Sequence, residues 1–260
     1  MNRKQLRIYP VLAIILVQAA LFGQMAGNPS TSQGWKELTI GVNGTYFHQQ
    51  LAGQMAFSRR ILGKVEWGLA KGVDVYLNAG QTQLKLRTHK VIDYRDKYRF
   101  AYGGGFNALL NQAAFRQGKI GYWIGAKGLV YPSEGSYYLT HEIGENSITR
   151  QFDMKYNSRE YSFHAGILAP FRALRFYAAL VAWGIQRKEE KQEYLLGLDE
   201  DPIYIGKETA TYQSELWTGG LLGLDVVLPQ RYVISVEAAL FNEENYQVMV
   251  GVSQTGFQQW

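Results

Sequence analysis

The sequence contains no cysteine among its 260 residues. The fold must therefore close its surfaces without disulfides, and no cysteine is available to carry a lipid after an export signal, which excludes a lipoprotein. The mean hydropathy of −0.21 excludes a bundle of membrane helices. Neither a phosphate-binding glycine loop nor a nucleotide-binding fingerprint occurs in the chain. What remains is a chain rich in glycine and tyrosine, with 28 and 18 residues respectively.

The first residues form a basic start followed by an uncharged apolar run. This run covers 8–23, and small residues follow it near 23–26. The order is typical of a secretory signal peptide, so we predict a signal peptide over 1–23 with cleavage between 23 and 26. A membrane-anchoring helix is the alternative, but the run is short for a span of roughly 20 residues and contains Pro10.

Cleavage of this segment changes the charge of the chain. It removes Arg3, Lys4 and Arg7 and no acidic residue, which lowers the formal net charge of +5 by three. The mature chain is then nearly neutral, so the basic composition gives no reason to expect nucleic-acid binding. We expect 24–36 to form an N-terminal periplasmic segment and 37–260 to form the folded domain.

Beyond this segment, apolar and polar residues alternate with the period of a β-strand. Over 61–69 the odd-numbered positions are apolar or glycine, and the even-numbered positions include Lys64 and Glu66. Side chains of a strand point alternately to opposite faces, so one face is apolar and the other is charged. After a break that contains Gly72, the same rhythm restarts over 73–79. This pattern predicts an antiparallel hairpin.

The alternation recurs along the chain and predicts ten strands. Only 174–186 is apolar at both odd and even positions, so the pattern does not assign its faces. Short links alternate with longer polar ones, as in barrels that have short periplasmic turns and longer extracellular loops. We therefore predict an all-β fold, a ten-stranded antiparallel up-and-down transmembrane β-barrel. The longer links cover 48–58, 87–97, 132–158 and 187–208.

Alternation alone does not distinguish a membrane barrel from a secreted soluble barrel or a lipocalin-like binder. Two further features favour lipid as the solvent of the apolar face. Strands of about ten residues match a tilted span of the hydrocarbon layer. Aromatic residues near the ends of the apolar faces predict girdles at the two membrane interfaces. These aromatic residues are Tyr46, Trp67, Tyr98, Tyr122, Tyr161, Tyr232 and Tyr246.

The C-terminal strand carries a resemblance to a known group of proteins. One face of this strand presents Val248, Val250 and Val252, and the chain ends with Phe257 and Trp260. Here the sequence resembles the bacterial outer-membrane β-barrel families, in which a C-terminal strand that closes on an aromatic residue is recognised by the insertion machinery. The resemblance implies a location in the outer membrane of a diderm bacterium. It also implies outer-membrane lipid and the barrel-insertion machinery as partners.

If the apolar face meets lipid, the opposite face lines the interior of the barrel and carries charges of both signs. Ten strands lie closer to the barrels of about eight strands, which side chains fill, than to the wide channels of sixteen. Trp123 and Trp217, which also point inward, favour filling. A paired polar core and a narrow conduit or cavity for a small polar molecule both remain open. The predicted lumen-lining residues are Lys64, Glu66, Asp74, Arg99, Lys127, His164, Glu215, Asp225 and Glu237.

Two sets of residues suggest catalysis. Ser162, His164 and Glu160 share the inward face of one predicted strand. A hydroxyl, an imidazole and a carboxylate are the groups that acyl transfer requires, although a packed polar pair gives the same pattern. The second set is similar to the carboxylate and histidine pairs of the ten-stranded omptin proteases, whose characteristic loop motifs are absent. It comprises His89, Asp93, Asp96, His141 and Glu142 in two predicted loops.

These patterns predict an outer-membrane barrel with a structural, surface-interaction or limited-permeation role. Its long loops over 132–158 and 187–208 would meet an extracellular ligand. The alternative is an outer-membrane barrel enzyme, either a lipid acyl hydrolase or transferase or an omptin-like protease. No cofactor, metal or nucleic-acid partner is expected from the sequence.

Overall fold

A computed structural model of the chain describes residues 37–51, 54–87, 93–143, 146–196, 201–214 and 216–258. The predicted signal peptide over 1–23 and the predicted periplasmic segment over 24–36 lie outside this part of the chain. None of the described helices is long and apolar enough to cross a membrane.

The described chain forms twelve β-strand segments and two short helical turns. In chain order these are β1 (Glu37–Leu51), β2 (Gln54–Ala70), β3 (Val73–Arg87), β4 (Asp93–Arg95), β5 (Arg99–Leu109), α1 (Gln112–Arg116), β6 (Gly121–Ile143), β7 (Asn146–Phe171), β8 (Leu174–Leu196), β9 (Ile203–Gln213), β10 (Trp217–Val227), a 3₁₀ turn (Pro229–Arg231), β11 (Tyr232–Asn242) and β12 (Asn245–Gln258).

Ten of these strands close into a ring. The order is β10-β11-β12-β1-β2-β3-β5-β6-β7-β8, and β8 pairs with β10 to complete the circle. Every pairing is antiparallel. The ring confirms the predicted ten-stranded up-and-down barrel.

The two remaining strands continue the ring beyond its rim. β4 pairs with β3, and β9 pairs with the far half of β8. The breaks that separate them from β5 and β10 are local, because Asp96 still donates its amide to the Leu84 carbonyl and Ser214 donates its amide to the Ile185 carbonyl. β4 and β5 are therefore two parts of one interrupted strand, and so are β9 and β10.

The outer wall of the ring is an exposed apolar band. Leu77, Leu180 and Leu222 have 73%, 77% and 68% of their surfaces exposed, although leucine is a core residue in water-soluble proteins. A closed ring of strands has no second protein layer to cover this band, so hydrocarbon is the solvent that suits it. Aromatic residues flank the band at both ends. Tyr46, Tyr161 and Tyr246 lie toward the long hairpins, and Trp67, Tyr122 and Tyr232 lie toward the short turns.

The inner wall is packed with side chains, and part of it is apolar. One cluster centres on β8, where Tyr177, Val181, Trp183 and Ile185 point inward. Because Leu180 and its outward neighbours are also apolar, both faces of β8 are apolar, which explains why the alternation did not assign them. The other members of this cluster are Phe47, Leu109, Trp123, Leu168, Ala179, Leu221, Ala239 and Met249.

The predicted long loops over 132–158 and 187–208 are wrong as loops. β6 and β7 stay paired from Gly121↔Leu168 to Ile143↔Asn146, and β8 stays paired with β9 over 186–195. Likewise, β1 and β2 stay paired to Leu51↔Gln54, inside the predicted 48–58 link. Backbone hydrogen bonds hold these strands together, and their outer face is not apolar. Their sequences therefore lack the alternation that predicts a membrane strand. The far halves of β6, β7 and β8 and all of β9 form an extension that rises beyond the apolar band.

The extension has its own small core. Tyr94 of β4 packs edge-on against Tyr156, with ring centroids 5.3 Å apart, and its hydroxyl lies 2.7 Å from the Ser133 hydroxyl. β4 therefore covers the inner side of the extension. The buried members of this core are Ala56, Leu84, Leu86, Tyr94, Phe152, Met154 and Tyr156.

Glycine is required where β5 approaches its neighbours closely. A side chain at Gly105 would meet the Tyr76 ring and the Ala126 carbonyl oxygen, and one at Gly103 would meet the Gly128 carbonyl oxygen. The glycines of β5 therefore make room for an inward tyrosine and for the backbone of β6.

Candidate functional site

A buried layer of hydrogen bonds crosses the interior of the barrel. The Arg60 guanidinium on β2 donates to both carboxylate oxygens of Glu160 on β7, with Nη1 at 2.7 Å from Oε2. The Tyr131 hydroxyl on β6 donates to the same carboxylate. Arg60 is fully buried, so the pair lacks competing water. The layer ties opposite parts of the ring together and fills the space between them.

Aromatic and hydroxyl groups complete this layer. The Arg60 guanidinium carbon lies 4.8 Å from the centroid of the Tyr131 ring and 5.3 Å from that of Phe47. Arg60 Nε also donates to the Ser58 hydroxyl at 3.0 Å. The guanidinium is thus surrounded by acceptors and ring faces, as a buried cation requires.

A second polar region lies between this layer and the short turns. Lys64 Nζ is 2.7 Å from Glu66 Oε2, and it lies 4.8 Å from the centroid of the Tyr76 ring. Across the interior, the Tyr177 hydroxyl donates to Glu237 Oε2 at 2.9 Å. These contacts give the lower interior a mutually paired polar filling.

The structure places most of the predicted lumen residues inside the barrel. Lys127 is half-buried, and six others are buried: Lys64, Glu66, Asp74, His164, Asp225 and Glu237. Trp123 is buried, and Trp217 is half-buried and stacks on Trp183 with ring centroids 4.9 Å apart. Glu215 lies outside the described residues.

Arg99 differs from its predicted position in the lumen. It is the first residue of β5, and its side chain is 39% exposed and lies 3.4 Å from Glu134, an outward residue of β6. The first residue of a strand lies at the rim, where a long side chain reaches around the edge. Arg99 is therefore a rim residue.

Ser162, His164 and Glu160 share the inner wall, but their contacts do not form a catalytic triad. Both carboxylate oxygens of Glu160 are engaged by Arg60. His164 Nε2 lies 3.2 Å from Asn107 Oδ1, and its Nδ1 has no hydrogen-bond partner among the described residues. His164 also packs on Trp123, with ring centroids 4.5 Å apart. The histidine is held as a packed polar group and neither nitrogen reaches the serine hydroxyl.

The omptin-like set is divided between described and undescribed parts of the chain. His89 lies outside the described residues, Asp93 belongs to β4, and His141 and Glu142 belong to β6. Asp96 is buried, and its Oδ1 accepts the Leu84 amide at 2.8 Å. Burial raises the pKa of Asp96 to about 6. Within the described ranges, no group of three or more metal-ligating side chains is present.

Arg60 and Tyr131, which are central to the buried layer, are not among the residues that the alternation predicts for the lumen. Arg60 lies two residues beyond the predicted link 48–58 and shares the even-numbered face of Lys64 and Glu66. Extension of the alternation by one pair toward the N-terminus would have placed Arg60 in the interior. No local signal identifies Glu160 as its partner, because the two residues are 100 positions apart.

The outer surface of the extension is rich in ion pairs. Glu190 accepts from Lys207 at 2.9 Å and from Lys188 at 3.0 Å, and these contacts lower the pKa of Glu190 to about 2. A further outward pair joins Lys155 of β7 to Glu134 of β6. Opposite charges thus alternate on this surface. The pairs of Lys191 with Glu208 and of Arg150 with Glu193 lie on the opposite, inward side of the same strands.

The end of the extension that lies farthest from the membrane is more apolar. β9 is the last strand of the extension and pairs only with β8 within the described chain. At its start, Ile203, Tyr204 and Ile205 are each more than half exposed. Exposed apolar residues on an edge strand are a recurrent feature of binding surfaces.

A shallow groove lies on the lipid-facing wall. It has a volume of about 740 Å³, and small residues line its floor, among them Ala165, Ala178, Gly220 and Ala238. Because these residues point away from the interior, the groove lies within the apolar band. The groove therefore faces the lipid and not the barrel interior.

No protein-family model and no curated protein matches the sequence. Similar solved structures include the transport unit of the autotransporter AIDA-I from Escherichia coli, with a TM-score of 0.42, 9% identity and coverage of 95% of this chain and 97% of that one. OprG from Pseudomonas aeruginosa has a TM-score of 0.39 and 11% identity, with coverage of 87% and 98%. Ail of Yersinia pestis has a TM-score of 0.33 and 12% identity, with coverage of 85% and 97%.

These likenesses are low in both identity and TM-score, so the assignment depends on features of this chain. The ring is closed, its outer wall is apolar and exposed, and its connections alternate between short turns and long hairpins. Lipid is the solvent that suits such a wall, and closed up-and-down barrels of this kind span outer membranes. The chain is an outer-membrane β-barrel protein.

Proposed function

We propose that the protein is a closed, non-conducting barrel that holds its extension at the cell surface as a binding surface for an extracellular partner. The observation that carries this proposal is the continuity of β6, β7 and β8 from the membrane band into the extension. A paired sheet positions its surface residues more rigidly than a loop does. The extension therefore presents a fixed surface.

The buried layer argues against a conducting role. Arg60, Tyr131 and Ile185 have no exposed surface, and Trp123 is 1% exposed. Arg60, Tyr131 and Ile185 surround Glu160 in one layer, and Trp123 fills the interior nearer the short turns. Side chains packed in this way leave little room for a hydrated ion.

The surface role is supported by the chemistry of the extension. Its outer side carries alternating charges, and its end carries the exposed Ile203, Tyr204 and Ile205 on an edge strand. A polar margin around a small apolar and aromatic centre is the composition of a protein-binding surface. An extended segment of the partner can add to the free edge of β9 by backbone hydrogen bonds.

Two measurements on the full-length protein test the proposal. Because the sequence has no cysteine, Thr209→Cys on β9 and Lys71→Cys in the β2–β3 turn each introduce a single thiol. On intact cells, a membrane-impermeant maleimide is expected to label the first variant and spare the second. The reverse pattern, or equal labelling, contradicts the proposed orientation.

The second measurement is conductance. The purified wild-type protein in planar bilayers is expected to show no stepwise currents. Steps with the regular size of an open pore would reject a closed barrel and favour the limited-permeation role. The double variant Arg60→Ala/Glu160→Ala, if it retains the heat-dependent gel mobility of a folded barrel, provides a comparison in which the central filling is removed.

A further inference from the structure

A basic pocket lies on the outer wall of β1, β2 and β3. It has a volume of about 300 Å³ and is separate from the buried layer, because its residues point outward. Arg59 and Arg87 are exposed, and Lys85 is half-buried. The six lining residues are Tyr46, Phe57, Arg59, Gln83, Lys85 and Arg87.

The register brings the three cations close together. Arg59 is paired with Gln83, and Phe57 is paired with Lys85 on the neighbouring strand. Arg59 and Lys85 are therefore diagonal neighbours on one face, at roughly 7–8 Å between their backbones. Arg87 follows two residues after Lys85 on the same face of β3. One phosphate group can be contacted by several of these side chains at once.

The pocket lies at the boundary of the apolar band. Below Arg59 on β2, the next outward residues are Ile61, Gly63 and Val65. Above it, the strands continue toward the 51–54 hairpin, on the side of the long hairpins. In an outer-membrane barrel this is the extracellular side, so the pocket is at the height of the outer-leaflet headgroups. An aromatic pair, Tyr46 and Phe57, with ring centroids 6.3 Å apart, marks the same boundary.

The opposite sector of the barrel lacks this uniform charge. At comparable height on β6, β7 and β8, Lys155 lies 3.4 Å from Glu134 and Lys188 lies 3.0 Å from Glu190. In the basic pocket, all three charged lining residues are positive. The acidic Asp93 is paired in register with Arg87, at the upper end of the pocket.

From this placement we propose that Arg59, Lys85 and Arg87 bind the phosphate of a phosphorylated glycolipid in the outer leaflet. Guanidinium groups bind phosphate through paired hydrogen bonds, and an ammonium adds a point charge. The acyl chains of the bound lipid lie along the apolar band below Arg59. Tyr46 and Phe57 pack against the region where the headgroup meets the chains. The site is independent of any partner bound by the extension.

The test measures lipid binding to the detergent-solubilised full-length protein by native mass spectrometry. The probe is diphosphorylated lipid A, and the variant is Arg59→Gln/Lys85→Gln/Arg87→Gln. The matched control is Arg159→Gln/Lys155→Gln/Lys188→Gln, which removes the same number of exposed cations from the opposite sector. We expect the apparent affinity to fall roughly tenfold or more in the first variant and less than about twofold in the control.

Three outcomes would overturn the proposal. Equal losses in the two triple variants would mean that binding follows overall charge. Equal binding of dephosphorylated lipid A would show that the pocket does not recognise the phosphate group. Competition by inorganic phosphate at millimolar concentration would assign the pocket to a free anion. Heat-dependent gel mobility checks folding, and the three single variants, which change one exterior residue each, replace the triple variant if it does not fold.

Discussion

The membrane-spanning ring and the extension share several strands but differ in which face of the sheet is apolar. In the ring, the outward face is apolar and the inward face combines the buried layer with an aromatic cluster. In the extension, the outward face carries ion pairs, and the inner side covers a small core under β4. The change occurs within single strands, since β7 alone runs from Asn146 to Phe171. Solvent, and not backbone pairing, determines which sequence a strand can carry.

The largest effect is expected from Arg60→Ala. Removal of the guanidinium leaves the buried Glu160 carboxylate without its counter-charge, and such a loss costs about 3–5 kcal/mol of unfolding free energy. Urea unfolding in lipid vesicles, followed by tryptophan fluorescence, measures the change. Arg150→Ala breaks the exposed pair with Glu193 in the extension and should cost less than about 1 kcal/mol. Similar losses in both variants would contradict a distinction between ring and extension.

Leu180→Arg tests the outer wall of the ring. Leu180 is 77% exposed, which would make substitution harmless in a water-soluble protein. A charge on the lipid-facing wall near the middle of the band should instead cost about 2–4 kcal/mol. The same vesicle unfolding assay reports it. Thr209→Arg, at an exposed position of β9, serves as the matched control and should be nearly neutral.

A smaller effect is expected from pH in the extension. Burial raises the pKa of Asp96 from 3.8 to about 6, so between these values the native state binds more protons than the unfolded state. Stability of this region therefore falls as pH rises through the window and is greater at pH about 5 than at pH about 7. The rate of proteolysis in the β3–β4 region, followed between pH about 5 and pH about 7, measures this change in stability.

Asp96→Asn separates this group from its neighbours. The amide retains an oxygen that can accept the Leu84 amide, and it has no titratable proton. The pH dependence should therefore become flatter than in the wild type. Burial also raises the pKa of Glu189, so the difference between wild type and variant isolates the contribution of Asp96. An unchanged pH profile would show that Asp96 is not the group responsible.

The smallest effect is expected from Glu190→Gln. This carboxylate joins Lys188 and Lys207 on the surface of the extension. Exposed ion pairs contribute little to stability, and salt screens them. Thermal unfolding at low and high ionic strength should show a small decrease that disappears in high salt. A decrease that persists in high salt would indicate that the extension is less solvated than its surface suggests.

The ring could be predicted from sequence because lipid imposes a strict alternation. On β2 and β3 every outward position below Arg59 and Gln81 is apolar or glycine, and the inward residues Lys64, Glu66 and Asp74 stand out against them. The strand count follows from the same signal. The same signal does not predict which interior residues contact each other. The contact between Arg60 and Glu160 depends on the three-dimensional closure of the ring, which brings β2 and β7 together.

The extension could not be predicted in the same way. Lys155 and Asn157 face water on one side of β7, while Met154 and Tyr156 face the small core on the other. The difference in polarity between the two faces is smaller here than in the ring and covers only part of the strand. The many charged residues on the neighbouring strands make the composition typical of a loop. The cross-strand ion pairs of the extension, such as Lys207 with Glu190, become visible only when the register of β8 and β9 is known.

The buried layer also bears on how the barrel assembles, because it joins strands that are distant in the chain. Arg60 belongs to the second strand and Glu160 to the seventh, and 100 residues separate them. Until the later strands arrive, the guanidinium needs water around it, so the growing sheet must stay open and hydrated on its concave side. We therefore expect that water to leave only when β7 brings the Glu160 carboxylate to Arg60.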